Sequence, residues 1–216
     1  MENNAGHPAS PTPLSEMQAR IVGVLLEKSA TTPDAYPLTL NAAVVACNQK
    51  TSRDPLTNFE PGAVGHALRE LEDLGLVRVV HGARALRYEH RFDEYYTVTA
   101  RQRALLCLLL LRGAQTQGEL HTRSDRLATF ATPDDVHDTL ERLTGREPAL
   151  AMRLTRGPGQ REDRYIHLLC GTDAALRAAD RATTNESTSS MSAESIEARI
   201  CALEERVAVL EARRDS

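Results

Sequence analysis

Residues 60–91 read EPGAVGHALRELEDLGLVRVVHGARALRYEHR. Glu60-Pro61 opens a helix, because a proline at the first helical position lacks only an N–H that would have no partner there. Val64, Leu68, Leu71 and Leu74 recur at helical spacing, and Gly75 stops the helix. Two short strands follow, Val77 to His81 and Ala85 to Arg91, joined through Gly82.

Upstream, Ser15-Glu16-Met17-Gln18 is a capping box that starts another helix, with Ile21, Val24, Leu25 and Lys28 at helical spacing. Pro33 and Pro37 break the chain. A second helix covers Thr39 to Asn48, and a polar loop runs from Gln49 to Phe59. The order helix, helix, helix, hairpin is that of a winged-helix domain.

The pattern then repeats. A shift of 72 residues puts Pro61, Val64, Leu68 and Leu71 on Pro133, Val136, Leu140 and Leu143. A shift of 84 puts Ile21, Val24 and Leu25 on Leu105, Leu108 and Leu109. The second copy has its own capping box, Thr116-Gln117-Gly118-Glu119. Its strands fall near Leu150 to Thr155 and Arg164 to Leu169, around a Gly-Pro-Gly turn. Matches on two helices and a hairpin make a duplicated module the best reading.

The fold class is therefore mainly α with small β-hairpins (α+β): two tandem winged-helix domains plus a C-terminal coiled-coil helix. Residues 1–13, with their prolines, read as a disordered leader. The domains run over 14–95 and 96–171. Residues 172–192, rich in Ala, Ser and Thr, read as a flexible linker.

Residues 193–216 read as a short parallel coiled coil. Ile196, Ile200, Leu203, Val207 and Leu210 follow heptad spacing, with β-branched residues at a and mostly Leu at d, which favours two strands. Glu197, Glu204 and Glu211 fall at e, and Arg199, Arg206 and Arg213 at g. A parallel pair sets Arg199 against Glu204 and Arg206 against Glu211 of the other strand. The expectation is a homodimer; a helix folded back on its own chain is the alternative.

Composition bounds the chemistry. The 216 residues are 41% hydrophobic and 26% charged, with a net charge of −4, which argues against one strongly basic surface. All basic residues but Lys28 and Lys50 are arginine, so any single arginine is weak evidence of a site. No apolar run reaches membrane length and no signal peptide is evident, so a cytoplasmic protein is expected. Cys47, Cys107, Cys170 and Cys201 form no metal-binding spacing. Phosphate-loop, dinucleotide, zinc-protease and nucleophile-elbow motifs are absent, so no enzyme and no cofactor are expected.

What remains are binding surfaces. The first hairpin carries Arg78, His81, Arg84, Arg87, His90 and Arg91 against Glu89 alone. The second carries Arg153, Arg156, Arg161 and Arg164 against Glu162 and Asp163. Exposed arginines on a hairpin suit phosphate contact or minor-groove insertion; a solvated hairpin is the plain alternative. The third helix, the usual groove reader of this architecture, carries Glu70, Glu72 and Asp73 against Arg69 in the first copy. In the second it carries Asp134, Asp135, Asp138 and Glu141, which phosphate repels, against Arg142. The first copy could still read DNA through its front end, beside the loop Asn48-Gln49-Lys50-Thr51-Ser52-Arg53. The candidate nucleic-acid contacts are Gln49, Lys50, Arg53, Arg78, Arg84 and Arg87.

Several stretches resemble the bacterial YceH family. They are Leu25-Leu26-Glu27-Lys28, Thr32-Pro33 with Tyr36-Pro37-Leu38, and Ala46-Cys47-Asn48-Gln49-Lys50-Thr51-Ser52-Arg53-Asp54-Pro55. Leu109 to Thr116 with Gly118-Glu119-Leu120, and Arg161-Glu162-Asp163-Arg164-Tyr165, complete the match from about Leu14 to Gly171. The resemblance implies two tandem winged-helix domains and assigns no activity, ligand or catalytic residue. The functional expectation is a dimeric protein that binds double-stranded DNA and regulates transcription. The alternative is a scaffold for an unknown protein partner, with no nucleic-acid binding.

Overall fold

In a computed structural model, residues 12–82, 85–156 and 162–181 are described below. Helix α1 (Glu16–Thr31) begins at the expected capping box: Gln18 N–H donates to Ser15 Oγ at 3.2 Å, and Ser15 N–H to Gln18 Oε1 at 2.8 Å. A two-residue strand β1 (Leu38–Thr39) leads into α2 (Leu40–Cys47), capped by Thr39. Helix α3 (Pro61–Asp73) has Pro61 in its first turn. Gly75 follows with φ 79°, a left-handed conformation that costs glycine little. Strands β2 (Val77–His81) and β3 (Leu86–His90) pair antiparallel, and β1 adds to β3, giving the order β1-β3-β2.

After a short helix α4 (Phe92–Tyr96), the same progression recurs: α5 (Ala100–Arg112), β4 (Gln115–Thr116), α6 (Gln117–Ser124), α7 (Pro133–Thr144), β5 (Ala151–Leu154) and β6 (Arg164–His167). Its sheet has the matching order β4-β6-β5. The residues equated by the two shifts occupy equivalent buried places: Ile21, Val24 and Leu25 with Leu105, Leu108 and Leu109, and Val64, Leu68 and Leu71 with Val136, Leu140 and Leu143. The described part is thus mixed α and β, with two small antiparallel sheets.

Three features differ from the expectation. Strands β1 and β4 are too short to leave an alternating pattern in the sequence. Residues 172–181 are helical rather than linker; four alanines lie among them, and alanine is the strongest helix former. The boundary drawn between residues 95 and 96 does not separate two cores, because everything from α1 to β6 lies in one compact unit, Met1–Leu176. Arg177–Ser216 forms a second unit.

The two halves join through their first helices. Buried residues run without a break from Gln18 to Leu26 on α1 and from Ala104 to Leu111 on α5. A helix buried on every side needs neighbours on every side. At Gly23 there is no room for a side chain: a Cβ there would lie 2.9 Å from Leu111 Cδ2 and 3.1 Å from Leu110 Cβ. Opposite it, the Cys107 thiol donates to the Gly23 carbonyl at 3.4 Å.

Cys47 and Cys107 are buried free thiols. Burial pushes the Cys47 thiol up to about 12 and raises that of Cys107 as well, and the thiolate is the reactive form. Both are expected to resist a soluble thiol reagent in native protein and to react once the chain unfolds in denaturant. Fast labelling in buffer would show that the packing opens readily, between α1 and α5 for Cys107 and around α2 for Cys47.

Candidate nucleic-acid interface

The polar segment between α2 and α3 is pinned at both ends. Asn48 Oδ1 accepts from Phe59 N–H at 2.7 Å, and its Nδ2 donates to Phe59 O at 2.9 Å. Buried Arg20 donates to the carbonyls of Pro55 at 2.8 Å and Cys47 at 3.5 Å. The second half also holds the loop. Asp54 N–H donates to Leu111 O at 2.9 Å, and Arg112 Nη2 donates to Ser52 Oγ at 2.7 Å. Ser52 takes φ 60° at the bend.

Arg53 sits at the centre of this arrangement, its side chain fully buried. Nε donates to Ala46 O (3.1 Å), Nη1 to Glu27 Oε1 (3.0 Å) and Ser52 O (2.9 Å), and Nη2 to Glu27 Oε2 (2.6 Å) and Gln49 Oε1 (2.9 Å). A guanidinium has five N–H donors, and all five are engaged. Burial pushes the Glu27 carboxyl up, but the hydrogen bonds and charge of Arg53, with Lys28 beside it, outweigh this and hold it below the usual value.

The expectation that Arg53 contacts nucleic acid is therefore corrected: it ties the loop to α1, and no N–H is left for a phosphate. Gln49 is partly turned inward too, since its Oε1 accepts from Arg53 and, at 3.5 Å, from Lys28. Lys50 is exposed at the tip of the same loop and has no partner among the described residues. The motif Asn48 to Pro55 is thus mostly scaffold, presenting Lys50.

The first hairpin is less free than its composition suggests. Arg78 pairs with Glu89, its direct cross-strand neighbour. Arg87 is half-buried and donates to Pro37 O at 2.7 Å. Arg91 pairs with Glu94. His90 accepts or donates at Ser29 Oγ, 3.1 Å away, and its N–H donates to the Tyr36 hydroxyl. Arg84 lies outside the described residues. In the second hairpin Arg153 pairs with Asp163, and Arg164 donates to Ala114 O at 3.4 Å.

Helix α3 buries Val64, Gly65, Ala67, Leu68 and Leu71 and turns Gly62, Ala63, His66 and Arg69 outward. From Pro61 to Arg69 it carries no carboxylate; the nearest before it in the chain are Glu60 at the N-cap and Asp54 in the loop. Glu70 is drawn aside, accepting from Gln18 Nε2 at 2.9 Å and lying 3.2 Å from His66 Nε2. Arg69 is exposed and unpaired among the described residues. His66 and Arg69 were absent from the predicted site, although their spacing from Gly62 (i, i+4, i+7) marks the face opposite the apolar stripe. By contrast, α7 exposes Asp134, Asp138 and Glu141. Its Asp135 closes a capping box with Thr132 and pairs with Arg101 at 3.5 Å.

No group of three potential metal ligands occurs among the described residues, and no described helix is long and apolar enough to cross a membrane. The seam residues Ile196, Ile200, Leu203, Val207 and Leu210 lie outside the described residues.

The architecture so far defines a class: a mixed α and β chain built on a repeated three-helix-and-sheet module. Residues 14–160 match a family described as "Protein of unknown function, DUF480", and the chain belongs to that family. It is 52% identical over 217 residues to a UPF0502 protein of Xanthomonas axonopodis pv. citri, covering 96% of this chain and 97% of the relative. A UPF0502 protein of Mesorhizobium japonicum is 49% identical over 204 residues, covering 94% and 95%. One from Stenotrophomonas maltophilia is 52% identical over 200 residues, covering 92% and 91%. The resemblance drawn from the sequence motifs agrees with this placement.

Proposed function

We propose that this chain is a cytoplasmic, non-enzymatic, dimeric winged-helix protein that binds double-stranded DNA through its first half and regulates transcription. The short strand before the second helix, paired to the far strand of the hairpin in both halves, supports the winged-helix reading. The observation that carries DNA binding is the front of α3: an outward face free of carboxylates, holding Arg69 and flanked by Lys50. Free cations anchor a protein to phosphate, and base edges are read by a helix in the major groove. The second half acts as a brace, since Leu111 and Arg112 hold the loop that carries Lys50.

In a gel-retention assay with random-sequence duplex at low salt, the full chain is expected to shift the DNA. The double variant Lys50→Glu/Arg69→Glu, if still folded, should not. Retention unchanged by both substitutions would remove the first half from the interface.

The acidic face of α7 favours a second reading, a scaffold for a basic protein partner. It predicts no retention of duplex.

Residues 193–216 supply the dimer in this proposal, as a parallel coil through Ile196, Ile200, Leu203, Val207 and Leu210. A chain ending at Ser192 should sediment as a folded monomer. A dimer of that truncated chain would place the interface elsewhere.

A further inference from the structure

We propose that Arg69 is the base-reading residue of this protein and that its target is a duplex half-site containing a guanine in the major groove. The inference rests on the DNA-binding reading above and concerns what distinguishes one sequence from another.

The cations of the first half differ sharply in what they are free to do. Arg20 and Arg53 are buried on carbonyls and on Glu27. Lys28 lies 3.2 Å from Glu27. Arg78 and Arg91 are paired with Glu89 and Glu94, and Arg87 is bound to Pro37 O. Among the described residues of this half, Lys50 and Arg69 alone have cationic groups without a partner. Lys50 is on a loop, a compact charge suited to phosphate. Arg69 is on the outward face of a rigid helix, and its planar fork matches the O6 and N7 acceptors of guanine.

The surroundings fit that role. Gly62 and Ala63 leave no bulk at the front of the helix, so the backbone can approach the groove floor. Gly62 to Arg69 spans roughly 10 Å of helix axis, or about three base steps. Glu70, the carboxylate next in the chain, is held by Gln18 and His66 and is kept from neutralising Arg69. Glu72 and Asp73, one turn on, are exposed, and neither forms an ion pair with Arg69 in the structure. The equivalent position on α7, by the 72-residue shift, is Glu141, which cannot donate to guanine; the two halves therefore differ in kind at this point.

The test is selection of preferred duplexes from a random pool by the full-length protein, repeated with Arg69→Ala and Arg69→Lys. Both variants change an exposed helical position, and melting curves verify that they fold. The expected result is an enriched site with a constant guanine. Arg69→Lys should keep the affinity for random duplex within about twofold and lose roughly tenfold or more of the preference for that guanine. Arg69→Ala should lose the preference and some affinity for all sequences. Selected sites without a constant guanine, or a guanine preference that survives both substitutions, would overturn the assignment while leaving DNA binding in place. Failure of the wild-type protein to retain any duplex would overturn the DNA-binding reading, and the assignment with it.

Discussion

Replacing Arg53 by methionine is expected to lower the melting temperature by about 10 °C at neutral pH. Removing one member of a buried ion pair destabilises by about 3–5 kcal/mol, because the other charge is left without its partner. A unit of this size loses roughly 2–4 °C per kcal/mol. Here the remaining charge is Glu27, largely buried on α1, with Lys28 at 3.2 Å as its other ion-pair partner among the described residues. The carbonyls of Ala46 and Ser52 lose a donor as well.

The pH dependence follows from the lowered value of Glu27 in the folded protein. A carboxyl depressed on folding contributes stability above its unfolded value, and that contribution is lost as pH falls through the folded value. Without Arg53, burial acts on Glu27 with little to offset it, so protonation becomes favourable. The deficit of the variant should therefore shrink as the pH is lowered from 7 towards 4. The double variant Glu27→Gln/Arg53→Met should recover part of the loss at pH 7. Melting curves across that range decide it: an Arg53→Met protein that melts with the wild type would mean that the ion pair does not hold the loop.

A chain comprising residues 1–95 alone is expected not to fold cooperatively. Helix α1 is buried on every side from Gln18 to Leu26, and part of its cover is α5. Removing α5 exposes that side, including the groove at Gly23 in which Leu110 and Leu111 rest. The fragment should bind a hydrophobic dye and lose amide dispersion, whereas a chain of residues 1–192 should melt as the full chain does. A sharp, two-state transition for 1–95 would mean that each half is a domain in its own right.

Much of the architecture was legible. The capping boxes at Ser15 and Thr116, the proline starts of α3 and α7 and the positive-φ Gly75 are local signals, and each appears where the residues put it. The 72- and 84-residue shifts worked because core positions of a repeated module share burial. What stayed hidden depends on long-range contact. Two-residue strands exist only because a partner strand is there to pair with. The single shared core depends on Gly23 meeting Leu111, which no pattern within either half announces.

The elements that carry the candidate residues were legible, but the partners of their side chains were not. The arginines of the hairpin pointed to Arg78 and Arg87, and the polar loop to Arg53, yet those side chains bind Glu89, Pro37 O and Glu27. In a chain whose cations are nearly all arginine, charge density says little, and freedom from partners says more. That criterion leaves Lys50 and brings in Arg69, and it requires side-chain geometry.

The measurement that bears most directly on the central claim is the affinity of the full-length protein for a labelled random duplex, followed by fluorescence anisotropy over a series of salt concentrations. DNA binding through the first half predicts affinity that falls steeply as salt rises, with a Lys50→Ala variant whose slope is smaller by about one. No binding even at the lowest salt, or a slope that Lys50→Ala leaves unchanged, would contradict the account and direct attention to the acidic face of α7 and a protein partner.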